Sequence, residues 1–179
     1  YIDVGQGDCT LLQCGGQSLL IDAGDPDSGT AVQLYLRKHG VSGLTYLVLT
    51  HPDSDHTGGA PVIITKFSPE RAFVSGFAKT TRTAEKVSEA FSYRNIVPEV
   101  PERGETFSVG SAEAVFVSPT EAGSDANNSS LCLYVRNGSD TFLFTGDAEE
   151  EEEKKMLSYG VSLKAEVYKT GHHGSRTAA

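Results

Sequence analysis

The chain has 179 residues, 38% of them hydrophobic and 22% charged, a composition that excludes disordered and fibrous classes of protein. Fifteen basic and 24 acidic residues give a net charge of −9, so the overall field does not attract nucleic acid or anionic membranes. The sequence contains no apolar run of 18 residues and no signal peptide, and we predict no membrane segment. We expect one domain over residues 1–179, trimmed at both ends, because the chain begins inside a predicted strand and stops just after a motif.

The first half of the chain alternates short strands with helices. Apolar residues at helical spacing predict the helices, and compact apolar runs bounded by glycine predict the strands. The predicted strands are Tyr1–Val4, Cys9–Cys14, Gln17–Ile21, Leu44–Leu49 and Ala72–Val74, and the predicted helices are Thr30–His39, Ala60–Phe67 and Thr80–Tyr93. Gly15-Gly16 predicts a hairpin turn between the second and third strands.

The second half repeats this style with more hairpins. The predicted strands are Ile96–Val100, Glu105–Val109, Ala112–Ser118, Leu131–Arg136, Thr141–Phe144 and Ala165–Lys169, with one helix over Ala148–Tyr159. Asn137-Gly138 predicts another hairpin turn. Two halves that each alternate strands and helices indicate two sheets with helices outside them, rather than one parallel sheet.

Residues 50–59, with the sequence Thr-His-Pro-Asp-Ser-Asp-His-Thr-Gly-Gly, concentrate metal-binding side chains directly after an apolar strand. His51, Asp53, Asp55 and His56 place two imidazoles and two carboxylates within six residues. This mixture suits zinc, manganese or iron, and a strand end that continues into a loop projects several side chains into one space. The segment predicts a metal site, although a polar surface loop with an Asx-turn has a similar composition.

Two later strands also end in candidate ligands. The strand 141–144 leads to Asp147, and the strand 165–169 leads to His172 and His173. Taken alone, an aspartate in the position of Asp147 is more often a turn or helix-cap residue than a ligand, and a histidine pair alone is a weak signal. Three strand ends that each offer ligands indicate the site of a metal enzyme.

These motifs, in this order, resemble those of the metallo-β-lactamase superfamily. Residues 3–8, DVGQGD, resemble a segment near the start of the soluble domain of ComEC-type competence proteins. Residues 19–24 resemble the first motif of the superfamily, residues 51–56 the second, Asp147 the fourth and His172 the fifth. The resemblance covers nearly the whole chain, and it implies an α+β fold, a four-layer αββα sandwich with the metals at one rim.

The resemblance also implies two divalent metal ions, manganese or zinc, with magnesium as a third candidate. His51 and Asp53 would hold one ion, and Asp147 would bridge the two. Aspartate stands at position 53 where the family usually has histidine, which shifts this site toward metals that prefer oxygen ligands. The third-motif histidine is absent, and Asn128 either supplies an amide oxygen there or lies in a surface turn.

By the same resemblance, Asp55, His56 and His172 would hold the second ion. Asp22 would either orient a ligand from behind or serve as a turn residue before a glycine. His173 would either donate a proton to the leaving group or be a structural neighbour. We expect Asp55 and His173 to take part in catalysis.

Gln6 and Asp8 lie in the DVGQGD segment and have two interpretations. They either line the site near the substrate, with Asp8 as a further metal or substrate contact, or they form a tight glycine turn between strands.

The function that follows from the resemblance is metal-dependent hydrolysis by an acidified water molecule that attacks as hydroxide. We expect a phosphodiesterase or DNA nuclease acting in DNA uptake, with single-stranded DNA or another phosphodiester as substrate. The domain would then be fused to a membrane channel region and lie on the extracytoplasmic side of the bacterial membrane. The alternatives are a hydrolase of another ester or thioester, and a non-catalytic module with a degraded metal site that binds nucleic acid or a partner.

Overall fold

The computed structural model describes residues 1–118 and 125–178, which form nine strands and five α-helices. The strands are β1 (Thr10–Cys14), β2 (Gln17–Ile21), β3 (Tyr46–Leu49), β4 (Arg71–Val74), β5 (Thr106–Val109), β6 (Ala112–Ser118), β7 (Cys132–Asn137), β8 (Asp140–Phe144) and β9 (Val167–Lys169). The helices are α1 (Gly29–Lys38), α2 (Ser54–Thr57), α3 (Ala60–Phe67), α4 (Arg82–Tyr93) and α5 (Glu150–Leu157). Short 3-10 turns cover Asn127–Ser129 and Gly171–Gly174.

The strands form two sheets. The first has the order β1-β2-β3-β4, in which β1 and β2 are antiparallel and the other pairs are parallel. The second has the order β5-β6-β7-β8-β9, antiparallel except for the parallel pair β8 and β9. Each sheet therefore contains parallel neighbours whose carboxyl ends meet at one edge.

Three buried apolar clusters separate four layers. Leu20 and Leu47 point from the first sheet toward α1, α3 and α4, whereas their neighbours Leu19 and Val48 point toward the second sheet. The outer face of the second sheet packs against Met156 of α5. Because successive strand residues face opposite sides, each strand between two layers must be apolar on both faces. The predicted αββα sandwich is confirmed.

The segments that carry the candidate ligands follow strand ends at one rim of this sandwich. Asp22 follows β2 and His51 lies two residues after β3 in the first sheet, and Asp147 and the histidine pair follow β8 and β9 in the second. The backbone joins the two sheets at this rim, since the Leu131 amide donates to the Thr50 carbonyl at 2.8 Å. The prediction that separate strand ends deliver the candidate ligands to one region is in keeping with this topology.

Several sequence predictions of secondary structure need correction. Tyr1–Val4 is not a strand, because its backbone makes the Ile2-to-Cys9 hydrogen bond but no ladder before the turns at Gly5 and Gly7. Ile96–Val100 is reduced to one bridge between Glu99 and Phe73. The last helix is shorter than predicted. Among the described residues, no helix has the length and apolarity needed to cross a bilayer.

Both predicted hairpin turns are present. Cys14 pairs with Gln17 around Gly15 and Gly16, whose φ angles of 56° and 82° are those of a type I′ turn. Asn137 pairs with Asp140 in the second sheet.

Candidate metal centre

Five side chains from three strand ends converge at the rim. His56 Nε2 lies 3.1 Å from Asp147 Oδ1, and His173 Nε2 lies 3.3 Å from Asp147 Oδ2. The Nε2 atoms of His56 and His173 are 3.4 Å apart, and Asp55 Oδ2 lies 3.3 Å from His173 Nε2. His51 Nε2 approaches the same carboxylate, Asp147, at 3.9 Å. The structure thus brings together five of the sequence-predicted site residues.

Asp22 holds His56 in place from behind. Its Oδ2 lies 2.8 Å from Nδ1 of His56, and its carboxylate also accepts hydrogen bonds from the Thr50 backbone N–H and hydroxyl at 2.8 and 2.7 Å. With the Nδ1 proton directed at this buried carboxylate, Nε2 of His56 faces Asp147 and is the ring nitrogen that would bind a metal ion. Of the two roles open to Asp22, these contacts favour that of orienting a ligand.

The backbone is strained at this centre. Asp22, His172 and His173 have φ angles of 58°, 42° and 52°, a region that residues other than glycine rarely adopt. Such strain persists where the surroundings hold it, and it often marks functional sites.

The DVGQGD segment closes over the centre through a glycine. Gly7 has a φ of 122°, and a Cβ atom built on it would lie 2.1 Å from the Asp55 carbonyl oxygen. The next residue, Asp8, donates its backbone N–H to that same carbonyl at 3.2 Å. Glycine is required at position 7 so that the loop can bring the Asp8 carboxylate to the cluster.

The donor set fits a divalent metal ion. His51 Nε2 is buried without a hydrogen-bond partner, a costly state for a polar atom that has no other function. One donor atom from each of Asp8, His56, Asp147 and His173 lies within 4.8 Å of the others. Donors about 2.0–2.2 Å from one ion are at most about 4.4 Å apart, so a small contraction of this cluster suffices.

The electrostatics of the two buried imidazoles are opposite. Burial lowers the pKa of His51 to about 4, and the charge of His56 acts in the same direction. Burial also opposes the charged form of His56, but the carboxylates of Asp22 and Asp147 outweigh it and raise the pKa to about 10. Burial would raise the pKa of Asp147, yet its contacts with His56 hold that pKa below its usual range. The carboxylates therefore attract positive charge to the point where the donors meet.

Three sequence-predicted residues point elsewhere. Asp53 Oδ1 contacts Lys79 Nζ at 2.6 Å, and His172 Nδ1 lies 2.9 Å from both Glu149 Oε1 and Thr177 Oγ1. Asn128 accepts the backbone N–H groups of Glu149 and Glu152 with Oδ1, at 3.3 and 3.4 Å. Asn128 is thereby a cap for α5.

Sequence reasoning missed two lysines at this site. Lys79 pairs with Asp53, and Lys169, the last residue of β9, forms an ion pair with Asp8. Lys169 sits at a strand end just before the histidine pair, which was the available signal. Lys79 lies in the irregular segment before α4, and the sequence offers no comparable signal for it.

Comparison with known proteins identifies the family. The family model described as "Metallo-beta-lactamase superfamily" matches residues 2–179. The chain belongs to this superfamily. It is 32% identical to ComE operon protein 3 of Bacillus subtilis over 98% of the chain, and 31% identical to Recombination protein 2 of Haemophilus influenzae over 99%. It spans 25% and 21% of the length of these two relatives.

The resemblance to ComEC-type competence proteins is confirmed, and a further relative is Competence protein ComA of Neisseria gonorrhoeae, at 29% identity. Among solved structures, the chain is similar to a metallo-β-lactamase of Cronobacter sakazakii with an HARLDQ motif. Their TM-score is 0.64 at 15% identity, covering 92% of this chain and 74% of the other. MEM-A1, a subclass B3 enzyme from a soil metagenome, gives a TM-score of 0.62 at 14% identity, with coverages of 93% and 74%. These structures share the superfamily fold with the chain.

Proposed function

We propose that this chain is a metal-dependent phosphodiesterase that cleaves DNA. One observation carries the proposal: His56, Asp147 and His173 present donor atoms 3.1 to 3.4 Å from one another at the rim of a metallo-β-lactamase fold. Imidazole and carboxylate donors in this arrangement suit a divalent ion, and the buried, unpartnered Nε2 of His51 beside them supports the same conclusion.

In the proposed site, His56, Asp147 and His173 hold one ion, and Asp8 adds a further oxygen ligand. A second ion beside His51 is part of the proposal. To bind it, Asp53 must give up its ion pair with Lys79 and contact the metal ion instead. That exchange makes the second site the weaker one. A divalent ion bound here would acidify a water molecule and neutralise negative charge on a phosphate. Manganese and zinc both suit the donors. Magnesium also suits the site, because many of the donors are carboxylate oxygens.

The residues of the chain have distinct tasks in this proposal. Asp22 keeps His56 in the tautomer that presents Nε2. Asp55 lies at the solvent side of the cluster with 30% of its side chain exposed, so it is suited to orient the attacking water and accept its proton.

The substrate assignment combines the charge of the chain with the nature of its relatives. A net charge of −9 disfavours a long nucleic-acid interface, because such interfaces depend on many lysine and arginine contacts. We therefore expect a short contact in which a single phosphodiester reaches the ions. Similarity to competence proteins, whose process is DNA uptake, supports DNA as the substrate. The proposal includes action on the extracytoplasmic side of the bacterial membrane.

Cleavage of single-stranded DNA tests this function. Metal-stripped protein is resupplied with manganese, magnesium or zinc, and fragments are followed on a gel. We expect cutting with manganese that the Asp55→Ala variant loses by at least about 100-fold, the size typical of a lost general base. A wild-type protein that binds metal but cuts no phosphodiester would contradict the proposal and favour another ester substrate or a binding module.

The two adjacent histidines are expected to differ. His173→Ala should weaken manganese binding at least about tenfold, since even the groups behind metal ligands are worth that much. His172→Ala should change it less, because Nδ1 of His172 contacts Glu149 and Thr177. Isothermal titration of both variants measures the difference. If only His172→Ala lost the metal, His172 would be the ligand, as the family resemblance implies.

A further inference from the structure

Lys169 places an ammonium group inside the candidate metal centre. Its side chain is only 12% exposed, and Nζ forms an ion pair with Asp8 Oδ2. Nζ also donates to the Gly146 carbonyl at 2.7 Å and lies 3.6 Å from Asp147 Oδ1. Two of its three polar contacts are with side chains of the donor set described above.

The position of this lysine differs from that of an ordinary surface ion pair. Lys79, which contacts Asp53, keeps 37% of its side chain exposed. Burial of an ammonium group is unfavourable unless anions compensate for the lost water, and here Asp8 and Asp147 compensate for it. Conversely, the ammonium acts together with His56 to let these two carboxylates lie side by side.

The ammonium and a divalent ion would use the same carboxylates. Asp8 and Asp147 are two of the four residues whose donor atoms lie within 4.8 Å of one another. Two cations that share one carboxylate pair at this range repel strongly in a partly buried site, where screening by water is reduced. A metal ion therefore gains the Asp8 oxygen only when the ammonium releases it.

We propose that Lys169 is a tethered cation that stands in for a metal ion and sets the affinity of the centre. In the metal-free protein it compensates the charge of Asp8, adds to the positive charge of His56 beside Asp147, and keeps the folded rim stable. When a divalent ion binds, the ammonium leaves Asp8 and remains on the Gly146 carbonyl. The inference rests on the metal-binding part of the proposed function, but it does not depend on the substrate.

A thermodynamic cycle makes this proposal measurable. If the lysine stabilises only the metal-free state, its removal destabilises that state and leaves the loaded state almost unchanged. The free energy by which the metal-free state is destabilised must then appear as tighter metal binding. Metal binding also stabilises the folded protein by mass action, so the gain is visible in the Tm. A lysine with a purely structural role would destabilise both states and leave the affinity unchanged.

The experiment compares Lys169→Met with the wild type by thermal unfolding and by manganese titration, each without substrate. We expect a lower Tm without metal, manganese binding at least about tenfold tighter, and a larger rise in Tm on addition of manganese. Lys169→Arg keeps the charge and should bind manganese as the wild type does. Lys154→Met removes an exposed lysine paired with Glu150 on α5 and controls for the substitution itself.

Each outcome either supports or overturns the proposed role of Lys169. If Lys169→Met is unfolded without metal but folds when manganese is added, the stand-in role is supported. If it binds manganese no more tightly than the wild type, or stays unfolded with manganese present, the role is overturned. A wild-type protein that binds no divalent ion would instead contradict the proposed function on which this inference rests.

Discussion

Asp147→Asn is expected to abolish metal-dependent cleavage to within the detection limit of the assay. Asp147 is the residue that His51, His56 and His173 all approach, at distances of 3.1 to 3.9 Å. Asparagine keeps the shape of the side chain but removes the charge that attracts the cations. Loss of a partner behind a metal ligand costs about 10- to 100-fold, so loss of the shared carboxylate should cost more than about 100-fold in manganese affinity and in rate.

The measurement is manganese titration together with cleavage of single-stranded DNA. Asp140→Asn is the matched control, because it makes the same change at the exposed opposite end of the same strand, β8. The control should bind and cleave as the wild type does. An Asp147→Asn variant that retained both activities would show that the cluster around this carboxylate is not the metal centre.

Phe73→Ala is expected to cause the largest loss of stability by a single core substitution that we consider. Phe73 is fully buried between the sheets, where its ring centroid lies 5.2 Å from that of Phe107 and 5.0 Å from that of Phe116. Truncation of a buried phenylalanine removes apolar contact and leaves a cavity that the two sheets cannot fill. The free energy of unfolding should fall by about 3–5 kcal/mol.

Denaturant unfolding measures this loss, with Tyr93→Ala as the control. Tyr93 is 72% exposed at the end of α4, so its truncation should change the free energy of unfolding by less than about 0.5 kcal/mol. Equal effects of the two substitutions would contradict the assignment of a central core between the sheets.

The layered fold was predictable because local signals agreed with one another. The glycine pair at residues 15 and 16 allows a turn that few other residues can make, and the strands around it are apolar enough to be buried. Predictions of strands failed where a polar residue or a glycine interrupts an apolar run and introduces a turn. The apolar residues Ile2 and Val4 join the core beneath the first sheet although their segment forms no strand. In this segment, the apolar side chains correctly predicted burial but did not predict whether the backbone pairs in a sheet.

The sequence predicted where in the chain the candidate site lies, but not how its side chains are oriented. Motif spacing placed His51, His56 and Asp147 at strand ends, and the structure brings them together. Which of two adjacent histidines turns inward depends on the left-handed backbone at His172 and His173, and spacing cannot reveal that conformation.

Long-range pairing was equally inaccessible to sequence reasoning. Asp53 lies 26 residues from Lys79, and Asp8 lies far along the chain from Lys169, so only the packed fold shows that each carboxylate already has a cation. These two pairs change the account of the centre. In the proposed function, they make the site beside His51 the weaker of the two, and they make metal binding an exchange of cations rather than the filling of a free cluster.

Anomalous diffraction from a crystal of the manganese-loaded protein tests the central claim most directly, because it locates the ion independently of any substrate. We predict a peak about 2.0–2.3 Å from His56 Nε2, His173 Nε2 and an oxygen of Asp147. A peak at the surface pair of His172 and Glu149, or no peak in protein soaked with manganese, would contradict the assignment of this cluster as the metal centre.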